Sequence, residues 1–464
     1  MAPPTASLRS AVDKHWEELM PAARAAAADI WAHPELGLME HYGSGLLSDW
    51  LEREGFRVTR GPASLPTCFI AAFGADRPAV GLLAEYDALP GLSNAAEARR
   101  DALVQGGPGH GCGHNLIGAG NTAAAITVAR TMLELDIPGT VLIFGTPAEE
   151  IVFGKVVMYD AGLFDAADVL LTHHADYVNA ALARPCQSII QPEFAFLGRP
   201  QHTGVTRAEN ANDAAELLIQ SVERLRAHQF PDVSVEHVIR YPAITMPSAT
   251  PEEARVWFYL RHVDYQRAAQ VLEIVTEQAR HAARSAGVVM RRAIVSACRG
   301  YLPNTALAER IFDAYQHVGP PTWGEPDKRF MSELSQSFGG PAGLDLDDGV
   351  ALLTDGFDAY GQDDGEVSWS IPLGRCNWAC PASIPLHSWA ATALFGTETG
   401  WKGASAAART LAHAAAELLC DSELVARARA ELTERAAGYQ PSLRGNPAPI
   451  IKDPEAFWAG RWSL

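Results

Sequence analysis

Lysine and arginine are in short supply in this chain of 464 residues: 37 of them stand against 55 aspartates and glutamates, for a formal net charge of −18. Binding to duplex nucleic acid or to an anionic membrane surface is driven by clustered basic side chains that neutralise phosphate, so this deficit excludes both as main functions. Cysteine is sparse as well. The seven present (Cys68, Cys112, Cys186, Cys298, Cys376, Cys380 and Cys420) are odd in number and scattered, unlike the disulfide framework of a small secreted domain, and a reducing compartment is expected. Long apolar runs are missing. No stretch approaches the roughly 18 residues of a membrane span, and MAPPTASLRSAVDKHWEELM lacks the apolar centre of a secretory signal, so a cytoplasmic protein is expected. Several catalytic signatures are missing too: there is no G-x-S-x-G elbow, no G-x-x-x-x-G-K-[ST] phosphate loop, and the glycines of GGPGHGCGH do not give G-x-G-x-x-G.

With 48% hydrophobic and 20% charged residues, the chain can bury a core, and its length suggests two or three domains. Helical periodicity runs from Leu8 to His33 and stops at HPELG; a second helix is predicted from Ser44 to Glu54. AVGLLAEYDALPG reads as a buried strand entering a polar loop. GGPGHGCGHN leads into a helix from Leu116 to Leu135, and TVLIFGTPAEE and DVLLTHHAD are apolar strands with polar residues at their carboxyl ends. Strands alternating with helices predict an α/β domain with a mostly parallel sheet, where chemistry collects beyond the strands' carboxyl ends. Near residue 190 the pattern changes to a βαββαβ order. It includes a helix from Ala214 to His228, with Leu217, Leu218, Val222 and Leu225 on one face, and another from Tyr265 to Ala286. The expected organisation is therefore a catalytic domain of residues 1–189 and 299–464, interrupted by a smaller α+β domain of residues 190–298. A strand near VSWSIP and an Ala-rich helix or helix pair complete the chain.

Three successive strand ends carry candidate metal ligands. Cys112 and His114 lie in H-G-C-G-H, Glu149 and Glu150 follow one strand, and His173 and His174 follow the next. An i, i+2 pair on a glycine-rich loop can converge on one ion, and thiolate, imidazole and carboxylate together suit a divalent transition metal, Mn or Zn among them. A lone C-x-H is ordinarily a packing feature; three clusters at neighbouring strand ends are harder to dismiss. The tandem Glu149-Glu150 points the same way. Adjacent carboxylates repel unless a cation lies between them or they differ in task, one ligating and the other accepting a proton from an activated water.

HPELGLMEH, LLAEYDALPG, GHGCGHNLIGAG, GTPAEE, LGRPQH, DDGEVSW and PLHSW, in that order, resemble the M20 metallopeptidase and amidohydrolase family, most closely its M20D branch with the aminobenzoyl-glutamate hydrolase subunits. The resemblance covers nearly the whole chain. It implies a catalytic α/β domain interrupted by a lid that dimerises, a small-molecule substrate, and one or two Mn or Zn ions. It implies Cys112 as a bridging ligand, His114, Glu150, His174 and His387 as further ligands, and Glu149 as general base. Asp87 would orient a ligand, and His202 in the lid would polarise the scissile group.

The sequence also departs from that family's pattern. Relatives with PAEE commonly continue in glycines, whereas this chain reads EEIVFGK, so Ile151 and Phe153 are expected to narrow a loop beside the metal, with His173 lining the pocket. The lid reads HTGVTRAENANDA, with Asn210-Ala211 where relatives carry Gly-Arg. An arginine is the natural bidentate partner of a substrate carboxylate. Asn210 is therefore a tentative substrate contact, and Arg207, Arg261, Arg299 or Arg375 could replace the missing clamp. The expected function is hydrolysis of an amide C–N bond in a small N-acylated, aromatic or apolar, amino-acid-type substrate. The alternatives are an aminohydrolase that expels ammonia from an activated aromatic amine such as a nitroanthranilate, and a non-catalytic subunit that retains the fold.

Overall fold

Apolar runs that do not alternate form strands covered on both faces, and AVGLLA and TVLIFG are of this kind, every residue being buried. The computed structural model describes residues 3–204, 209–241, 246–341, 343–442 and 451–462. In chain order its elements begin with α1 (Thr5–Ala32), α2 (His41–Arg53), β1 (Arg57–Arg60), β2 (Phe69–Gly74), β3 (Ala79–Ala84), α3 (His114–Leu135), β4 (Thr140–Gly145), α4 (Gly154–Asp160), β5 (Val169–Asp176) and β6 (Ala180–Leu182). Next come β7 (Ser188–Leu197), α5 (Ala211–Gln229), β8 (Ser234–Arg240), β9 (Glu253–His262), α6 (Tyr265–Ala286) and β10 (Val289–Cys298). The chain continues with α7 (Thr305–Val318), α8 (Glu325–Phe338), β11 (Ala351–Leu353), α9 (Asp364–Val367), β12 (Leu373–Ala379), α10 (Trp389–Phe395), α11 (Glu398–Leu419), α12 (Ser422–Arg435) and α13 (Pro454–Trp458).

Two units are present, one of Met1–Arg184, Leu302–Gly356 and Val367–Tyr439, the other of Pro185–Tyr301, Phe357–Glu366 and Gln440–Leu464. The smaller unit is thus more than one insertion. Residues 357–366 and 440–464, expected in the catalytic domain, belong to it because Glu366 accepts the Arg299 amide at 2.8 Å and the Ser442 amide at 2.7 Å, while Trp462 donates to buried Glu193.

In the larger unit the sheet runs β1-β2-β4-β3-β5-β12-β6-β11. Its centre, β4-β3-β5-β12, is parallel throughout, and antiparallel pairs occur at β1/β2, β2/β4 and β12/β6. The carboxyl ends of four adjacent strands therefore share one edge of the sheet. Helix α3 is buried over nearly its whole length and packs against α1 and α11, meeting α11 closely at Gly120, where a Cβ would lie 3.1 Å from the Ala408 methyl. The strand expected at VSWSIP lies further on: α9 ends at Val367, a turn follows, and the extended segment is β12.

The smaller unit is a four-stranded antiparallel sheet ordered β10-β7-β9-β8, packed against α5 and α6 in the βαββαβ order. Helix α5 buries Ala211, Ala214, Ala215, Leu218 and Val222, whereas Leu217 is exposed. The helix is thus rotated toward its alanines, whose short side chains bring it close to the sheet. Among the described residues no helix is long and apolar enough to cross a membrane, and no two of the seven cysteines form a disulfide.

Candidate metal centre

The shared edge of the parallel strands gathers the candidate ligands. Glu85 and Asp87 extend β3, Glu149 and Glu150 form a 3-10 turn after β4, and His174 lies near the end of β5. Cys112 and His114 flank Gly113, whose φ of +85° is a left-handed conformation that glycine adopts without strain. This tight reversal starts α3 at His114.

Asp87 organises the centre. Its Oδ1 accepts the His114 Nδ1–H at 2.9 Å, and its Oδ2 accepts the Glu150 amide at 2.9 Å. His114 is thereby held with Nε2 pointing inward. That buried nitrogen has no hydrogen-bond partner, and carboxylate oxygens of Glu85 and Glu149 lie 3.5 Å from it. His174 donates Nδ1–H to the Ala175 carbonyl at 2.8 Å, leaving Nε2 3.3 Å from Cys112 Sγ. The chain returns to the site after β12. The His387 amide bonds the Gly111 carbonyl at 2.8 Å, and its ring Nε2 lies 3.4 Å from Glu150 Oε2. His387 has φ +58°, a strained backbone for a residue with a Cβ.

Two sets of donors result, Cys112-His114-His174 and Cys112-Glu150-His387, each with ligand atoms within 4.8 Å of one another. They share Cys112. A buried imidazole nitrogen without a hydrogen-bond partner, a thiol between two donor sets and several carboxylates fit one or two divalent transition ions. Burial pushes the Cys112 thiol well above its usual range and holds His174 down to about 3, so the latter is neutral and ready to ligate. Burial also raises Glu150 to about 8. His114 goes the opposite way: burial disfavours its cation, but Cys112, Asp87 and Glu150 outweigh it and raise the pKa.

Glu40, Glu85 and Lys155 complete the surroundings, and no sequence motif singled them out. Buried Glu40 accepts the Ala148 amide at 2.7 Å and the Thr67 hydroxyl at 2.8 Å, fixing the turn that carries Glu149. Lys155 Nζ pairs with Glu85 Oε1 at 2.8 Å. Gly154 permits this approach, since a Cβ there would collide with the Pro147 carbonyl. A signal for Glu85 did exist: it precedes Asp87 by two residues on an extended segment, and such residues share a face.

Two expected substrate contacts are corrected. His173 adjoins His174 on a strand, so the two rings point to opposite faces. The His173 ring packs against α3, with Nε2 3.5 Å from where a Cβ on Gly120 would sit, and does not line the centre. Asn210 caps α5 instead, accepting the Asn212 amide at 3.1 Å and donating to Asp213 at 2.6 Å. Ile151 and Phe153 are buried within the loop that follows the glutamates. His202 lies in the smaller unit on an exposed turn, its Nδ1 accepting the Gly204 amide at 3.1 Å. Of the arginines, Arg207 lies outside the described residues. Arg261 stacks over Tyr259 and Arg299 over Tyr265 in the smaller unit, and Arg375 is buried on β12. A further group, Asp13, His317 and His413, is an ion-pair network of a different kind, because Arg409 sits 2.8 Å from the Asp13 oxygen that also accepts His413.

Asp87→Asn is expected to weaken metal affinity about 10- to 100-fold without unfolding the protein, because the amide has one acceptor oxygen and cannot take both the His114 Nδ1–H and the Glu150 N–H. Competition with a chromophoric chelator measures this, and an unchanged affinity would remove Asp87 from that role.

The family model described as Peptidase family M20/M25/M40 matches residues 81–459. A p-aminobenzoyl-glutamate hydrolase subunit of Escherichia coli is 31% identical over 435 residues, covering 87% of this chain and 90% of its own. The human Xaa-Arg dipeptidase is 30% identical over 301 residues, 61% of this chain and 63% of its own. Among solved structures, a dinuclear metal-binding peptidase of the M20 family from Bacillus subtilis shares the fold, with a TM-score of 0.54 at 18% identity over 88% of this chain and 99% of that one. With a matching family model and a full-length relative, the chain belongs to peptidase family M20/M25/M40.

Proposed function

We propose that this enzyme is a metal-dependent hydrolase that cleaves the amide C–N bond of a small N-acylated amino acid whose acyl group is aromatic or apolar. The observation that carries the reading is the pair of donor triads joined at Cys112. Cys112, His114 and His174 would hold one divalent ion, and Cys112, Glu150 and His387 a second, with Mn or Zn suited to these donors. When bound, such ions supply Lewis acidity and lower the pKa of a neighbouring water. Glu149 belongs to neither triad, and its carboxylate faces the same space as His114 Nε2 at 3.5 Å. It would take the water's proton and return it to the departing nitrogen. His202 is proposed to polarise the carbonyl, and Ile151 and Phe153 to form an apolar wall.

The names of two relatives support the substrate class, since p-aminobenzoyl-glutamate is an aromatic acyl group on an amino acid and a dipeptide is an N-acylated one. The test offers metal-loaded protein N-aroyl and N-alkanoyl amino acids beside aryl amines. Released amino acid is expected, abolished by a chelator and restored by Mn2+ or Zn2+. Ammonia from the aryl amines without amino-acid release would favour the aminohydrolase alternative. A homodimer through residues 190–298 belongs to the same proposal. In support, β8 is an edge strand with Val238 exposed. Light scattering should give a mass near twice 49.8 kDa; a monomer overturns the dimer.

A further inference from the structure

Glu85 and Lys155 form an ion pair with almost no access to water: their side chains are 2% and 0% exposed. Taking two charges out of water is costly before their attraction is counted, and a well-packed apolar pair often does as well or better. Stability alone therefore gives little reason for charges here. The geometry is also lopsided. Lys155 takes Oε1 at 2.8 Å, while Oε2 has no hydrogen-bond partner and lies 3.5 Å from His114 Nε2, the nitrogen that faces the candidate ions. A purely structural pair has no need to aim its second oxygen at a ligand atom. Both residues are anchored to parts of the centre. Glu85 follows β3 two residues before Asp87, and its carbonyl lies where a Cβ on Gly118 would collide with it, under the start of α3. Lys155 follows the turn that bears Glu149 and Glu150.

We propose that Glu85 is a reserve carboxylate of the metal centre, held back from the ion at His114 by Lys155, so that the ammonium sets how much negative charge that ion meets. The proposal rests on the metal centre of the proposed function. Removing the ammonium frees Oε1 and leaves a full carboxylate beside the ion, which must then bind more tightly. Neutralising the carboxylate leaves a buried ammonium near the ion, which must then bind more weakly.

The test measures Zn2+ affinity by chelator competition in wild type, Lys155→Met, Glu85→Gln and the double variant, with circular dichroism confirming folding. Lys155→Met is expected to tighten Zn2+ about tenfold, and Glu85→Gln to weaken it about 10- to 100-fold, the range typical of residues that support metal ligands. The double variant should return to within about threefold of wild type, because both charges leave together. If Lys155→Met does not fold, Lys155→Gln, which can still donate to Oε1, carries the same expectation. A merely structural pair would loosen the site in both single variants. Weakening in both, or no change in either, overturns the proposal while the metal centre stands. Wild-type protein that binds no divalent ion overturns the metal centre itself.

Discussion

Glu149→Gln is expected to lower kcat on the order of 10³-fold while metal content stays at the wild-type level. The amide keeps the shape of the carboxylate but cannot accept a proton, and general base catalysis typically contributes 10²- to 10⁴-fold. The main chain around it is fixed independently of the side chain's charge. Glu40 holds the preceding Ala148 amide, and Asp87 holds the following Glu150 amide, so the turn should survive the substitution. Neither triad includes Glu149, which is why the ions should remain. Metal analysis beside steady-state kinetics decides the matter. Loss of metal in the variant would make Glu149 a ligand, and full activity would move the base elsewhere.

Cys112→Ala is expected to have the other large effect, lowering bound metal from about two ions per chain to under one and activity to background, because both triads need its sulfur. His387→Ala provides the contrast. Its ring is 55% exposed and serves one triad, so the fold should tolerate the change and about one ion should remain. Equal losses in the two variants would dismiss the shared sulfur.

The same centre predicts a pH dependence of metal uptake. The Cys112 thiol is raised by burial, so it holds its proton at neutral pH before metal binds. Glu150, pushed up to about 8 by burial, adds most of a second. Ligation displaces these protons, so affinity must rise with pH, by up to about tenfold per pH unit for each proton released. Calorimetry in buffers of different ionisation enthalpy counts them. Fewer than one proton per chain would contradict these protonation states.

Some of the site was legible in local sequence because strand and loop periodicities are local. The apolar runs ending in AEYDALP, TPAEE and LLTHHAD announced parallel strands with chemistry at their carboxyl ends. Gly113 between Cys112 and His114 announced a reversal that turns both side chains one way. The expectation that His173 lines the pocket overlooked the same periodicity of two, which turns it to the face opposite its neighbour His174. Other contributions had no local signature. His387 became a candidate through family resemblance alone, and its place follows from one main-chain bond to Gly111 across the sheet edge. Lys155 reaches Glu85 from 70 positions along the chain because Gly154 lets the turn pass against Pro147. Glu40 supports the Glu149 turn from still further away in sequence.

The amino-acid sequence alone therefore determined the α/β class, the βαββαβ order of the smaller unit and most of the candidate ligands, because each depends on spacing over a few residues. Tertiary structure decided which donors lie within reach of one another, which histidine faces the core, and which carboxylate is held by a buried ammonium. These depend on charges and hydrogen bonds brought together from distant segments, where burial removes water and makes each partner matter.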